Sequence, residues 1–462
     1  MRNRIIRRTG GKGGGLRLAL LSSAPVIAGV ALALVPPPAR AVPAFTDQTG
    51  QPCQACHVGG FGPELTPFGR EFKLGGYTLR TKASIPLAAM AVASFTHTNK
   101  DQNPPPQYFA ANNNFALDQA SLFLAGGIGQ HFGGFAQATY DGVARQFHWD
   151  NLDVRLVNTG QIMGKDLTYG ISINNAPTVE DAWNTTPAWG FPYTGSALAA
   201  TPGASPLIDG ALAQNVLGVV AYGWLDHHVY LAAGAYTSPA AGTLTWLGVD
   251  PTSPGDIHGL APYGRIAYQL DAVGGTAEFG AYALKAEINP GRQNVIGYTD
   301  HYADLGLDAS WQKALSSGDT LSFNMRYTHE ESNLLASCAL GLIGNGTTPV
   351  CAKTTLSEWR GAASYSWRGK IGATLGGFVT NGSGNANLYA PTNVPDSNGV
   401  IGQLDYTPWG SGNSPLGPLV NLRVGVQYTA YGKFNGARLN YDGNGANASD
   451  NNTLRVFTWI AF

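Results

Sequence analysis

The chain has 462 residues, of which 12% are charged, and its formal net charge is −1. Soluble domains carry about 25% charged residues, so the composition is unusual for that class. Without a basic excess the chain lacks the electrostatic footprint of a nucleic-acid-binding protein, and four cysteines in this length exclude a disulfide scaffold. The 61 glycines and 10% aromatic residues, without charged helical runs, indicate an all-β protein.

Residues 1–41 have the order of features found in an export signal. Four arginines stand in the first eight residues, an apolar stretch runs over 16–35, and Ala39-Arg40-Ala41 is a small-residue cleavage site. An uncleaved anchor is the alternative, because the stretch is longer than a usual signal core. Arg17 and Pro25 interrupt it and favour cleavage, with a mature chain that begins near Val42 in an oxidising compartment.

The next segment, 42–83, contains a haem-attachment motif. Cys53-Gln54-Ala55-Cys56-His57 has the C-x-x-C-H order of a c-type haem site, in which two thiols bind the haem covalently and the histidine ligates its iron. A zinc knuckle requires further ligands nearby, and the next cysteine is Cys338. A thioredoxin-type motif requires a βαβ context, and none is visible. The sequence therefore predicts one covalently bound haem c, attached to Cys53 and Cys56, with His57 as an axial ligand.

A short helix is predicted after this motif. Thr66 precedes Pro67 as a helix cap, and Gly75-Gly76 ends the pattern. Four side chains of the helix are candidates for the haem environment: Phe68, Phe72, Arg70 and Lys73. The aromatic pair covers a haem face or packs on the wall of the following domain, and the basic pair binds the haem propionates or remains solvated. A segment of this size is marginal as an independent domain, so we expect it to need the rest of the chain as a wall.

Residues 84–462 alternate apolar and polar side chains in segments of about ten residues, which is the strand pattern of a membrane barrel. A soluble, half-buried sheet is the alternative, and the export signal and aromatic flanks favour the barrel. Predicted strands are 84–97, 115–129, 133–142, 148–158, 166–174, 215–224, 228–236, 258–270, 275–285, 297–312, 319–330, 354–367, 370–380, 398–407, 419–430 and 453–462. Their even number, with short turns at one end and long loops at the other, predicts a transmembrane β-barrel of about sixteen antiparallel strands in the bacterial outer membrane.

Two further features fit an exported barrel. The last strand ends in Phe462 with Ile460 two positions before, which resembles the assembly signal of bacterial outer-membrane proteins. Cys338 and Cys351 fall in one long loop, where a disulfide is predicted and a two-cysteine metal site is the alternative.

The run 44–50, the motif at 53–57, the stretch 63–70 and Gly76-Tyr77 together resemble the fused monohaem cytochrome–porins. This family includes the outer-membrane iron oxidases of iron-oxidising bacteria. The resemblance implies a haem plug held in or under the barrel. It also implies oxidation of an extracellular donor, most simply Fe(II), and transfer of the electron to a periplasmic cytochrome.

The second axial ligand and the donor path are separate hypotheses. Met90 shares a face of the first strand with Ser94 and is the candidate second ligand, a packed methionine being the alternative. Three carboxylates on one face of the tenth strand form a candidate cation path: Asp300, Asp304 and Asp308. The alternative is a polar wall that faces four arginines: Arg155, Arg326, Arg360 and Arg423.

Two other functions stay open at this point. The first is a diffusion porin or uptake channel whose haem plug gates or senses. The second is the same electron conduit with another metal or a small organic reductant as the donor.

Overall fold

The structure is a computed structural model of the chain and describes residues 44–81, 86–295, 297–343, 353–417 and 419–462. The chain divides into two units, 1–40 and 41–462, and every described residue belongs to the second. The predicted export signal and Cys351 lie outside the described residues.

Sixteen long strands form a closed antiparallel barrel, because each pairs with its neighbours and the first pairs with the last. The closing register places Met90 opposite Ala461 and Thr98 opposite Thr453. The strands are β1 Leu87–Thr98, β2 Asn114–Ile128, β3 Phe132–Asp141, β4 Gln146–Ile162, β5 Lys165–Asn174, β6 Leu217–Leu225, β7 Val229–Thr237, β8 Gly255–Ile257, β9 Ala261–Ala272, β10 Gly275–Pro290, β11 Asp300–Ala314, β12 Thr320–Leu334, β13 Lys353–Trp367, β14 Ile371–Gly382, β15 Ser397–Tyr406, β16 Asn421–Lys433 and β17 Thr453–Ala461. The predicted antiparallel barrel is confirmed, and only the three-residue β8, which pairs with the end of β10, was not expected.

The two ends of the barrel differ in the length of their connections. At one end are the turns 129–131, 163–164, 226–228, 273–274, 315–319 and 368–370, together with the longer connection 407–420. Both termini of the barrel also lie at this short-turn end, which is the periplasmic end in outer-membrane barrels. The opposite end carries most of the long loops.

Side chains alternate between the two faces of the barrel as the period-2 pattern predicts. On β16, Val424 and Val426 point outward and are 37% and 44% exposed, whereas Arg423 and Gln427 point inward and are buried. The outward face forms an apolar band, to which these residues also belong: Leu122, Leu124, Phe279, Leu305, Leu307, Leu375 and Leu404. Such a band matches the lipid-facing surface of a membrane barrel.

The N-terminal segment folds as three short helices against the interior of the short-turn end: α1 Ala44–Thr49, α2 Cys53–Cys56 and α3 Pro67–Leu74. The predicted helix is confirmed as α3, because the Thr66 hydroxyl accepts a hydrogen bond from the Gly69 N–H at 3.2 Å and Gly75 ends it. In the described part of the chain, two more α-helices lie in loops, α4 Ala241–Trp246 and α5 Leu335–Ala339. None of the helices in the described ranges is long and apolar enough to cross a membrane.

The long connection 175–216 folds into the barrel, which the sequence analysis did not anticipate. Residues 175–186 are all buried, and Trp183 packs on the rings of Trp224 and Tyr230 at 5.6 and 5.5 Å. We call residues 175–216 the inward loop, and residues 44–81 the plug. Between them these two elements occupy much of the barrel interior.

Candidate functional site

The two cysteines of the C-x-x-C-H motif lie on the single turn of helix α2. Both are free and half-buried, and the Thr46 hydroxyl approaches the Cys53 sulfur at 4.0 Å. Burial raises the pKa of the Cys56 thiol to about 11, and the neighbouring Cys53 adds to the rise. Both side chains are therefore neutral, unpaired thiols near pH 7.

His57 closes the helix and begins a tight loop. The backbone N–H of His57 donates to the Cys53 carbonyl at 2.8 Å, and the backbone N–H of Val58 donates to the Glu64 carbonyl at 3.0 Å. Residues 57–65 therefore fold back on themselves. The His57 Nδ1 atom is buried and makes no hydrogen bond of standard geometry among the described residues, although the backbone of Glu64 and of Gly62 lies close to the ring. Burial, assisted by the charge of Arg423, lowers the pKa of His57 to about 4. The imidazole is therefore neutral, which is the form that ligates a metal.

The barrel wall fixes this loop at several points. The Asn421 amide donates to the Gly60 carbonyl at 2.7 Å, and the Arg423 guanidinium donates to the preceding glycine carbonyl at 3.2 Å. In the connection 407–420, the Gly410 carbonyl accepts from the Gln54 N–H at 3.0 Å. Gly60 has φ +69, and a Cβ atom there would lie 2.8 Å from the Gly410 Cα. The motif is thus held to β16 and to a short-end connection.

These residues fit a covalently attached haem. Two free thiols precede a neutral imidazole that carries an orphaned nitrogen, and buried polar atoms in proteins rarely lack a partner. Cys53 and Cys56 would hold the group, and His57 would ligate its iron. A haem bound in this way supplies a one-electron redox couple.

Met90 lies inside the barrel, on the face that the sequence analysis assigned to it. It packs against the cluster that Phe61 of the plug forms with Val92, Phe457 and Trp459, and its sulfur accepts a hydrogen bond from the Trp459 indole N–H at 3.3 Å. Its assignment as second axial ligand stays a prediction. Ligation would require the sulfur to leave the indole.

The four candidate residues of α3 have different surroundings. Phe72 is buried between the rings of Phe45 and Tyr77, at 5.0 and 5.7 Å, whereas Phe68 is 37% exposed. Arg70 and Lys73 are buried, so the solvated alternative for both is wrong. The Arg70 Nη2 atom lacks a partner among the described residues and stays available to an anionic group.

Lys73 and Tyr77 connect the plug to its surroundings. The Lys73 ammonium donates to the carbonyls of Val179 and Asp181 in the inward loop, at 2.6 and 2.5 Å. The Tyr77 hydroxyl donates to Asp153 on β4 at 2.7 Å. Burial lowers the pKa of Lys73 to about 8. The plug is therefore tied both to the inward loop and to the barrel wall.

The three aspartates of the candidate cation path share the inward face of β11, as predicted, and all are buried. Each is occupied by protein partners: Asp300 accepts from the Ser337 N–H and hydroxyl, Asp304 from the Ile208 N–H, and Asp308 from the Arg265 guanidinium. Arg265 is not among the arginines expected to face this row. Among the described residues, no group of three or more His, Cys, Asp or Glu side chains is arranged to hold a metal ion.

The inward loop is fastened by charged groups that sequence reasoning missed. The Arg265 guanidinium pairs with Asp181 of the loop at 3.2 Å, and also with Glu278 and Asp308 on the wall. The Tyr193 hydroxyl donates to Glu64 of the plug at 3.1 Å. The polar faces of the strands contain such arginines, but a strand pattern does not tell which loop will reach them.

Only one cysteine of the predicted disulfide lies in the part of the chain that the structure describes. Cys338 lies in helix α5, and Cys351 is outside the described residues, so the pairing stays a prediction.

The closed barrel, its apolar outer band and its inward loop define a porin-like β-barrel of the bacterial outer membrane. No protein-family model and no curated protein matches the chain. Among solved structures it is similar to the outer-membrane channel DcaP of Acinetobacter baumannii, with 12% identity and a TM-score of 0.45 over 84% of this chain and 100% of that one. It is also similar to OprB of Pseudomonas putida, with 12% identity and a TM-score of 0.44 over 81% and 93%. OmpF of Salmonella typhi gives 14% identity and a TM-score of 0.41 over 82% and 98%.

Proposed function

We propose that this protein is an outer-membrane electron-transfer protein with one haem c attached to Cys53 and Cys56 and ligated by His57. It oxidises an extracellular donor and passes the electron to a soluble periplasmic cytochrome. The resemblance to the cytochrome–porins points to Fe(II) as this donor. The observation that supports the proposal is the position of the C-x-x-C-H motif. It lies against the barrel interior with free thiols and a neutral, unpartnered imidazole nitrogen.

The position of the motif suits transfer across a membrane. Lipid blocks ionic iron, and Fe(III) precipitates at neutral pH, so oxidation on the outer side keeps the product outside the cell. A single haem serves both sides only when it lies within the barrel. Gln54, in the middle of the motif, is exposed beside the short-end connection that contains Gly410, so a periplasmic acceptor reaches this region.

The residues around the motif have positioning roles in this proposal. Asn421 and Arg423 hold the loop that follows His57, and Lys73 and Tyr77 hold helix α3. Partial burial of the site limits the access of water and would raise the potential of a bound haem. Methionine ligation by Met90 would raise the potential further, as the oxidation of Fe(II) requires.

The proposal is tested by mixing the oxidised, purified protein with Fe(II) in a stopped-flow instrument and following the haem α-band. Fast, saturable reduction is expected, together with a covalent haem that survives denaturation. The matched control is the Cys53→Ala/Cys56→Ala variant, which should form the barrel without attached haem. If dithionite reduces the haem but neither aqueous nor chelated Fe(II) does, Fe(II) is not the donor. If no covalent haem is present, the electron-transfer proposal fails.

A diffusion porin or uptake channel is the second candidate, and the porin-like barrel favours it. In that case the plug gates or senses, and the lumen conducts solutes. Conductance in planar bilayers separates the two functions. A large, steady conductance supports the channel, and a closed trace supports the plugged conduit.

A further inference from the structure

A cavity of about 390 Å³ lies in the barrel interior between the inward loop and the wall. Loop residues from Pro187 to Asp209 line one side, and inward side chains of β12–β17 line the other. Gly195, Thr201 and Ser205 on the loop side are exposed, so the cavity opens to solvent. Most of its wall residues belong to the long-loop halves of their strands.

The cavity lies next to the part of the inward loop that contacts the plug. Phe191 lines it, and the Phe191 ring contacts the ring of Tyr193 at 5.6 Å. Tyr193 packs with Phe61 and donates to Glu64, both of which belong to the loop that follows the haem motif. The Phe191 and Tyr193 rings therefore connect the cavity lining to the plug.

Three arginines and one carboxylate line the cavity: Arg326, Arg360, Arg455 and Asp209. Arg326 and Arg360 stand directly opposite each other on β12 and β13, an arrangement of like charges that destabilises a sheet. Two carboxylates offset this repulsion. Glu358 accepts from Arg326 at 3.1 Å and from Arg360 at 2.7 Å, and Asp209 pairs with Arg326 at 2.6 Å and with Arg360 at 3.5 Å. Glu358 is buried and does not line the cavity, so donors exceed acceptors on the cavity surface.

Two of these guanidinium groups have donors that the protein does not use. The Nε atoms of Arg326 and Arg455 are buried and have no hydrogen-bond partner among the described residues. Arg455 uses its terminal nitrogens to reach Asp118 at 2.6 Å and the Thr194 carbonyl at 3.2 Å. Gln427, Thr429 and Thr453 add neutral polar groups to the lining.

From this arrangement we infer that the cavity binds a small oxyanion of the carboxylate or phosphate class. The planar guanidinium fork matches the geometry of both groups. The volume lies at the lower end of the range of small-molecule sites, which is about 300–1,000 Å³.

The inference has a consequence for the donor that rests on the proposed function. The aspartates of β11 are covered by protein, whereas the open cavity is lined by arginines. Iron would therefore reach the plug as an anionic chelate. The chelated Fe(II) would give one electron to the oxidised haem and leave as chelated Fe(III), with no bond made and no proton moved.

Binding is tested by calorimetric titration of the detergent-solubilised full chain with citrate and, separately, with inorganic phosphate. Saturable binding of either probe is expected, with at least a tenfold weaker affinity in Arg360→Gln. Gly195→Phe is the second variant, because a Cβ atom at Gly195 meets nothing within 4 Å and the ring can fill the cavity without disturbing an ion pair. The exposed loop residue Arg438 provides the matched control, Arg438→Gln, which should bind like the wild type.

The outcomes separate the cavity from the proposed function. Absence of binding by both probes, or equal binding in Gly195→Phe, overturns the oxyanion site even if aqueous Fe(II) reduces the haem. Binding that Gly195→Phe abolishes supports the site even if no iron species reduces the haem. Faster haem reduction by Fe(II)–citrate than by aqueous Fe(II), lost in Gly195→Phe, supports both.

Discussion

Replacing Gly60 by alanine tests most directly how the plug docks on the barrel. The Gly60 φ of +69 lies in the left-handed region, where a side chain costs about 1–2 kcal/mol. In Gly60→Ala the new Cβ atom would also lie 2.8 Å from the Gly410 Cα and 3.3 Å from the Gly369 carbonyl oxygen, so backbone must move. Overpacking of this kind costs a further amount of about 1–3 kcal/mol.

Gly129→Ala is the matched control for the conformational part of this cost. Gly129 has φ +68 at the same end of the barrel, and a Cβ atom there meets nothing within 4 Å. The difference between the two variants therefore isolates the contact between the plug and the short-end connection. It corresponds to about a 5- to 150-fold increase in the population of the undocked loop.

Hydrogen exchange measures this population directly, because local opening sets the exchange rate of protected amides. We expect peptides that cover residues 53–62 to exchange faster in Gly60→Ala by at least that factor, because the backbone strain at Gly60 adds to the contact, and Gly129→Ala to leave them unchanged. Equal exchange of these peptides in the two variants would show that Gly60 does not pack on Gly410. The docking described for the haem motif would then be incorrect.

Three more perturbations test the connections of the plug and the inward loop. The folded protein releases the Lys73 proton near pH 8 and the unfolded chain near 10.5, so the unfolded chain binds more protons between these values. The free energy of unfolding should therefore increase by about 3 kcal/mol as the pH rises through that window, and Lys73→Met should lack this increase in thermal unfolding experiments. Tyr77→Phe should lower the free energy of unfolding by about 1.5–3 kcal/mol, because the buried Asp153 carboxylate loses one of its donors and keeps Arg155 and Ser172. An unchanged denaturant midpoint would contradict that contact. Arg265→Met removes the cation that pairs with three carboxylates and should lower the free energy of unfolding by about 3–5 kcal/mol. It should also make the inward loop accessible to protease, and a loop that stays protected would show that Arg265 does not hold it.

The barrel and the plug helix were predictable because each depends on local patterns. Alternation with period 2 fixes which side chains face lipid, as Val424 and Arg423 illustrate on neighbouring positions of β16. The cap at Thr66 and the stop at Gly75 fix α3 in the same way. Neither requires knowledge of a distant residue.

The path of the inward loop was not predictable, because its burial depends on distant partners. Residues 175–186 are mostly polar and resemble a surface loop, yet Asp181 is buried by its pairing with Arg265 on β9. Likewise, the aspartates of β11 were assigned to the correct face, but not the loops that cover them. Such pairings join residues far apart in the chain and leave no periodic signal in the sequence.

The contacts that hold the plug place its docking at a late stage in the assembly of the barrel. The Gly60 carbonyl is held by Asn421, which lies 361 residues further along the chain, and Phe61 packs on Trp459 of the last strand. Contacts at such separations form late, because the chain must first close a long loop. The plug is thus synthesised before the strands that hold it and docks after they have formed. A docked plug therefore indicates that β16 and β17 are in place.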